Sequence, residues 1–101
     1  MHVRQSDLFA QWLSKLRDER ARFVIVQRLL RVGRGLLGDV RPVGGGVSEM
    51  RIGYGPGYRL YYVQRGVELV VLLVGGDKGS QARDIARART MAAQWSDDDA
   101  T

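Results

Sequence analysis

Apolar and polar positions along the chain follow two periods. Leu8, Phe9, Trp12, Leu13 and Leu16 recur at helical spacing, with Asp7, Gln11, Ser14 and Lys15 between them. Ser6 stands where an N-cap belongs and Asp7 falls in the first turn, which predicts a helix over about 7–17. Asp18 caps a second helix that runs to Val32 and stops at Gly33. Its core stripe is read as Phe23, Ile25, Val26, Leu29 and Leu30, and its polar stripe as Arg20, Gln27, Arg28 and Arg31. So short a connection makes the two helices an antiparallel hairpin.

Beyond Gly33 the period shortens. Glycines punctuate strand-like segments at Val40–Val43, Val47–Ile52, Tyr58–Gln64 and Val67–Val74, and Arg65-Gly66 is a tight turn between the last two. Residues 2–5 read as a short first strand. The segment from Val67 to Val74 is almost wholly apolar, as expected of a central strand covered on both faces. A glycine-rich loop, Gly75-Gly76-Asp77-Lys78-Gly79, then leads to Ser80 as N-cap of a helix over about 81–95. That helix turns Ile85, Ala88, Ala92 and Trp95 inward and Arg83 and Arg87 outward. The predicted architecture is α+β: an N-terminal helical hairpin on a four- to five-stranded, mainly antiparallel sheet, followed by a C-terminal helix. One sheet face is buried by helices and the other is left open and concave. Residues 1–95 form one domain, and 96–101 an acidic, disordered tail.

Composition narrows the setting. A chain of 101 residues holds one core. No apolar run approaches the roughly 18 residues of a membrane helix, and the first residues lack the apolar segment of a signal peptide. Cysteine is absent, which excludes disulfides and thiolate metal sites. The expectation is a cytoplasmic protein without a membrane partner. The net charge is +5 and the basic residues are nearly all arginine. Arginine's planar fork suits phosphate, so a nucleic-acid partner is one reading; a codon bias toward arginine is the other.

Alternation places Glu49 and Arg51 on one face of their strand, and Arg59, Tyr61 and Val63 on one face of the next. If the hairpin turns about Gly55, Arg51 lies opposite Arg59 and Glu49 opposite Tyr61. Two opposed arginines repel by about a few tenths of a kcal/mol. An anion held between them would explain the arrangement, as would neutralisation by Glu49 or a register displaced by one residue. The loop around Lys78 opens a helix, and helix N-termini favour anions. It is not a Walker loop, and Gly53-Tyr54-Gly55-Pro56-Gly57 leads into a strand, unlike a dinucleotide fingerprint.

His2 is the only histidine, so no histidine-based nucleophilic arrangement exists in the core. A metal site would need the scattered carboxylates Asp39, Glu49, Asp77 and Asp84, and neither metal nor other cofactor is expected. A basic site of this kind can still cut RNA, whose 2′-OH attacks the adjacent phosphorus while arginines stabilise the phosphorane. The base is then a lysine of lowered pKa, a carboxylate or a tyrosine.

Three segments carry a family resemblance. Residues 38–52, from Gly38-Asp39 to Glu49-Met50-Arg51-Ile52, resemble the G-D-x-K/R-x-V-G-x-G-V-x-E-L/M-R-I segment of HigB-type addiction-module killer proteins. Gly55-Pro56-Gly57-Tyr58-Arg59-Leu60-Tyr61 is similar to their G-P-G-Y-R-V/L-Y segment, and residues 72–81 to their L-L-x-G-G-D-K-x-x-Q segment. Phe9, Trp12-Leu13 and Arg28-Leu29 also fit, so the resemblance spans about residues 5–93. It implies the RelE/ParE fold and a toxin encoded beside a helix-turn-helix, HigA-like antitoxin. It implies metal-independent cleavage of mRNA, usually at the ribosome.

Carried over by position, the resemblance makes Arg59 the arginine near the scissile phosphate, Arg51 a second basic position, and Lys78 a further basic or acid–base residue. The chain departs from the pattern where relatives carry a tyrosine or histidine near the last loop or helix: Asp84 and Ile85 stand there. Asp77, Lys78 and Tyr61 remain for proton transfer, and Arg20, Arg28, Arg31 and Arg41 for RNA contact. ParE-like relatives poison DNA gyrase without cutting RNA, and a non-catalytic antitoxin-binding protein is a third possibility on the same fold.

Overall fold

The computed structural model describes residues 1–94; Trp95 and the acidic tail at 96–101 lie outside the described residues. The fold is α+β, with a five-stranded mixed sheet and three helices. In chain order the elements are β1 (His2–Gln5), α1 (Asp7–Ser14), α2 (Glu19–Gly33), β2 (Val40–Gly44), β3 (Val47–Ile52), β4 (Tyr58–Arg65), β5 (Leu69–Asp77) and α3 (Gln81–Gln94). The sheet order is β1-β5-β4-β3-β2. Strands β2 to β5 form an antiparallel meander. β1 instead pairs in parallel with β5, His2 beside Leu69 and Gln5 beside Leu72. The sheet, expected to be mainly antiparallel, is so from β2 to β5 and is made mixed by the parallel β1.

Both N-terminal caps form as the sequence predicts. The Ser6 hydroxyl accepts from the Phe9 amide at 3.0 Å, and Asp18 accepts from the Arg20 and Ala21 amides. The first helix is shorter than expected and ends at Ser14. α1 and α2 cover one sheet face, where Phe9, Ala21, Ile25, Leu29 and Val32 pack on Met50, Leu60, Tyr62, Val70 and Leu72. The stripe read for α2 is displaced: Phe23, Val26 and Leu30 are exposed, and Ala21 and Val32 are buried in their place. Ala21, Ile25, Leu29 and Val32 follow the same helical spacing, but the small alanine conceals it beside the larger Phe23 and Leu30.

The second face is not open. α3 lies across it, and Ala88 and Ala92 pack on Val47, Tyr61, Val63, Val71 and Leu73. Nor are Gly75 and Gly76 a loop, since β5 runs on to Asp77. A Cβ on Gly75 would collide with the Trp12 indole on one face, and a Cβ on Gly76 with the Asp84 carboxylate and Ser80 hydroxyl on the other. Both positions are strand residues pressed from opposite sides. A 3₁₀ turn, Lys78–Ser80, then leads directly into α3, and Asp77 caps it where Ser80 was expected to. Among the described residues no helix is long and apolar enough to cross a membrane.

Two sets of substitutions test this packing by chemical denaturation. Ile25→Ala should cost about 2–5 kcal/mol, and Phe23→Ser should stay within about 0.5 kcal/mol of wild type; equal losses would contradict the assigned stripe. Gly75→Ala should cost about 1–3 kcal/mol by overpacking against Trp12, and a neutral result would place the indole elsewhere.

Candidate nucleic-acid site at the β3–β4 end of the sheet

The antiparallel register sets Arg51 opposite Arg59 and Glu49 opposite Tyr61, as strand alternation predicts. The next rows continue across the sheet, with Arg41 beside Glu49 and Gly76 beside Arg59. One end of the α3-covered face therefore carries Arg41, Arg51 and Arg59 around Glu49. The arginines differ in exposure: their side chains are 51%, 40% and 12% accessible, respectively. Arg51 has Asp39 beside it, with Nε 3.7 Å from the carboxylate.

Glu49 is fully buried. An unpaired carboxylate in that position would cost several kcal/mol of desolvation. Here Gln81 donates to its Oε2 at 2.6 Å and the Tyr61 hydroxyl to the same oxygen at 3.1 Å. Arg41 Nε donates to Oε1 at 3.1 Å, and Arg59 Nε stands 3.9 Å from Oε1. Burial pushes the Glu49 carboxyl upward, but the Gln81 and Tyr61 hydrogen bonds and the Arg41 charge outweigh it and hold it below its ordinary 4.5. The Nε atoms of Arg51 and Arg59 are both buried without a hydrogen-bond partner.

Arg59 Nη1 donates to the Tyr58 carbonyl at 3.1 Å, which turns the guanidinium toward the β3–β4 turn. Arg59 and the Lys78 stem flank Gly57 there. Together they line an open cleft of about 420 Å³ whose remaining wall is residues 52–57. Asp77 stands at the strand end, its carboxylate accepting from the Gly79 amide at 2.8 Å. Behind this end, the buried Asp84 accepts from the Ser80 hydroxyl at 2.5 Å.

Two sequence assignments change. Tyr61 is completely buried, and burial, the Glu49 charge and the hydrogen bond to Glu49 all raise its pKa. It supports Glu49 and is removed from the proton-transfer candidates. Arg28 is not a free basic side chain either. Its guanidinium donates to the carbonyls of Leu37, Asp39 and Arg51, tying α2 to β3 and the segment before β2. Arg20 and Arg31 are exposed on α2, across the sheet from Arg41, so the predicted RNA-contact set is split between two faces. Gln81 was missed as a site residue, although it closes the third quoted segment. Its signal was its position one turn after Asp77, at the start of a helix.

No family model matches the chain. An uncharacterized protein of Haemophilus influenzae is 40% identical over 92 residues, covering 91% of this chain and 93% of the relative. The chain belongs to that protein's family. The likeness runs through about nine tenths of either chain.

Because the Glu49 carboxyl is held below 4.5, the stability it contributes is complete above that pH and is lost as pH falls through the lowered value. Glu49→Gln should cost about 1–3 kcal/mol at pH 7. The difference from wild type should shrink below pH 4.5 in acid-unfolding curves followed by circular dichroism. A difference that stays constant from pH 7 to pH 3 would mean that the carboxylate charge does not hold the network.

Proposed function

We propose that the protein is the toxin of a type II toxin–antitoxin pair, HigB-like and of the RelE/ParE fold, and that it cleaves mRNA. The observation that carries this reading is the convergence of Arg51, Arg59 and Lys78 at one end of the sheet. Like charges gathered at the margin of a cleft favour an anionic ligand, and a phosphodiester strand is the ligand that the arginine-rich surface suits. The fold's element order and the three HigB-like segments add to it. The cell compartment proposed is the cytoplasm, and the partners are mRNA, the ribosome and a helix-turn-helix antitoxin.

In the proposed reaction the RNA 2′-OH attacks the adjacent phosphorus and the bond to the 5′-oxygen breaks, leaving a 2′,3′-cyclic phosphate and a 5′-hydroxyl. Arg59 and Arg51 bind the non-bridging oxygens and stabilise the charge that grows on them in the phosphorane. Lys78, on the cleft wall, and Asp77 beside it are the groups left to take the 2′-OH proton and to supply one to the leaving oxygen. No metal takes part in these steps.

One observation favours a second reading, a binding protein that either poisons gyrase as ParE does or only engages its antitoxin. Arg59 is 12% accessible and is turned onto the Tyr58 carbonyl. In that reading its role is structural.

Induction in cells with mapping of transcript ends separates the two. The nuclease reading expects growth arrest with cleaved mRNA, relieved at least tenfold by Arg59→Ala and unaffected by EDTA in a purified assay. Intact transcripts with gyrase-linked DNA breaks would overturn it, and cleavage that EDTA stops and magnesium restores would overturn the metal-free chemistry.

A further inference from the structure

Glu49 is the group at this end of the sheet that the proposed chemistry does not use. It is fully buried, and it carries the same sign of charge as the strand the site is proposed to attract. Its two oxygens divide the surroundings. Oε2 takes the two neutral donors, Gln81 from the first turn of α3 and the Tyr61 hydroxyl from β4. Oε1 faces the Nε atoms of two arginines, Arg41 at 3.1 Å and Arg59 at 3.9 Å. A guanidinium that turns its Nε edge inward to a carboxylate presents its terminal nitrogens away from it. Arg41 is half exposed and Arg59 opens on the cleft beside Lys78. One buried oxygen therefore stands against both guanidiniums, hydrogen-bonded to Arg41 and ion-paired with Arg59, whose Nη1 is also held by the Tyr58 carbonyl.

We propose that Glu49 is a positioning residue that orients Arg41 and Arg59 as a two-armed clamp on consecutive phosphates of the bound strand, with Gln81 fixing Glu49 from α3. This rests on the nucleic-acid reading of the site and adds to it both the orienting carboxylate and Arg41. The arrangement has two opposite effects. The Glu49 charge lowers the site's attraction for a polyanion. The orientation it imposes places guanidinium nitrogens before the transition state forms, so no reorganisation is needed then.

The opposed effects give the test a signature that mere loss of structure does not share. With the full chain and a short RNA, Glu49→Gln should lower kcat at least tenfold and also lower KM, by about twofold to fivefold. Gln81→Ala keeps the charge and loosens the carboxylate, so it should lower kcat a few-fold with KM unchanged, and it serves if Glu49→Gln does not fold. A 2′-deoxyribo-oligonucleotide, which lacks the attacking hydroxyl, reads the clamp apart from cleavage. Glu49→Gln should bind it more tightly, while the Arg41 and Arg59 Nε–H signals lose their separate positions in nitrogen-detected NMR. Tighter binding with those spectral changes, in a protein that never cuts RNA, would sink the nuclease reading and retain the clamp. Unchanged or weaker binding of the oligonucleotide by Glu49→Gln, or kcat and KM unaltered in both variants, would overturn the clamp even if the wild type cuts RNA.

Discussion

The buried charge of Glu49 constrains this end of the molecule more than any other single group. A carboxylate removed from water must be surrounded by donors and cations, and those here come from three elements: Arg41 from β2, Arg59 and Tyr61 from β4, Gln81 from α3. Satisfying Glu49 therefore requires β2, β3 and β4 in register and the first turn of α3 lying against them. The opposed arginines Arg51 and Arg59 are tolerated in the same frame because Asp39 and Glu49 stand beside them. The site's surplus of positive charge is a consequence of a scaffold that is itself held by negative charge.

Local signals were the most legible part of the sequence. The Ser6 and Asp18 caps, the bounds of β3 and the β3–β4 register follow from residue type and a period of two, because these features depend on neighbours in sequence or directly across a hairpin. The misread parts depend on distant neighbours. Phe23 and Leu30 read as core until the sheet is seen to rest against Ala21, Ile25, Leu29 and Val32. Gly75 and Gly76 read as a loop because no local pattern shows that Trp12 and Asp84 press on them. Tyr61 was placed in the right row, but its burial under α3 depends on a helix that begins twenty residues later.

Arg28 illustrates the same limit for charge. In sequence it belongs to an exposed basic stripe with Arg20 and Arg31. In the fold it donates to the carbonyls of Leu37, Asp39 and Arg51, so it belongs to the scaffold. A buried carbonyl without a donor costs about as much as a lost hydrogen bond, and a guanidinium is the side chain that can serve several at once. Counting arginines therefore overstates the surface open to a polyanion, and the three at the β3–β4 end stand beside carboxylates, Arg41 and Arg59 by Glu49 and Arg51 by Asp39.

The place of β5 sets an order on biogenesis. It lies between β4 and β1, so the first strand of the chain waits at the sheet edge for residues 69–72. The β2–β3–β4 meander closes through local contacts and can form early in synthesis, whereas β1 pairs across most of the domain. Lys78 and Gln81 lie later still. A growing chain on the ribosome thus carries Arg51 and Arg59 well before it carries the residues that complete the cleft and anchor Glu49. This end of the sheet is structurally incomplete until translation has passed Gln81.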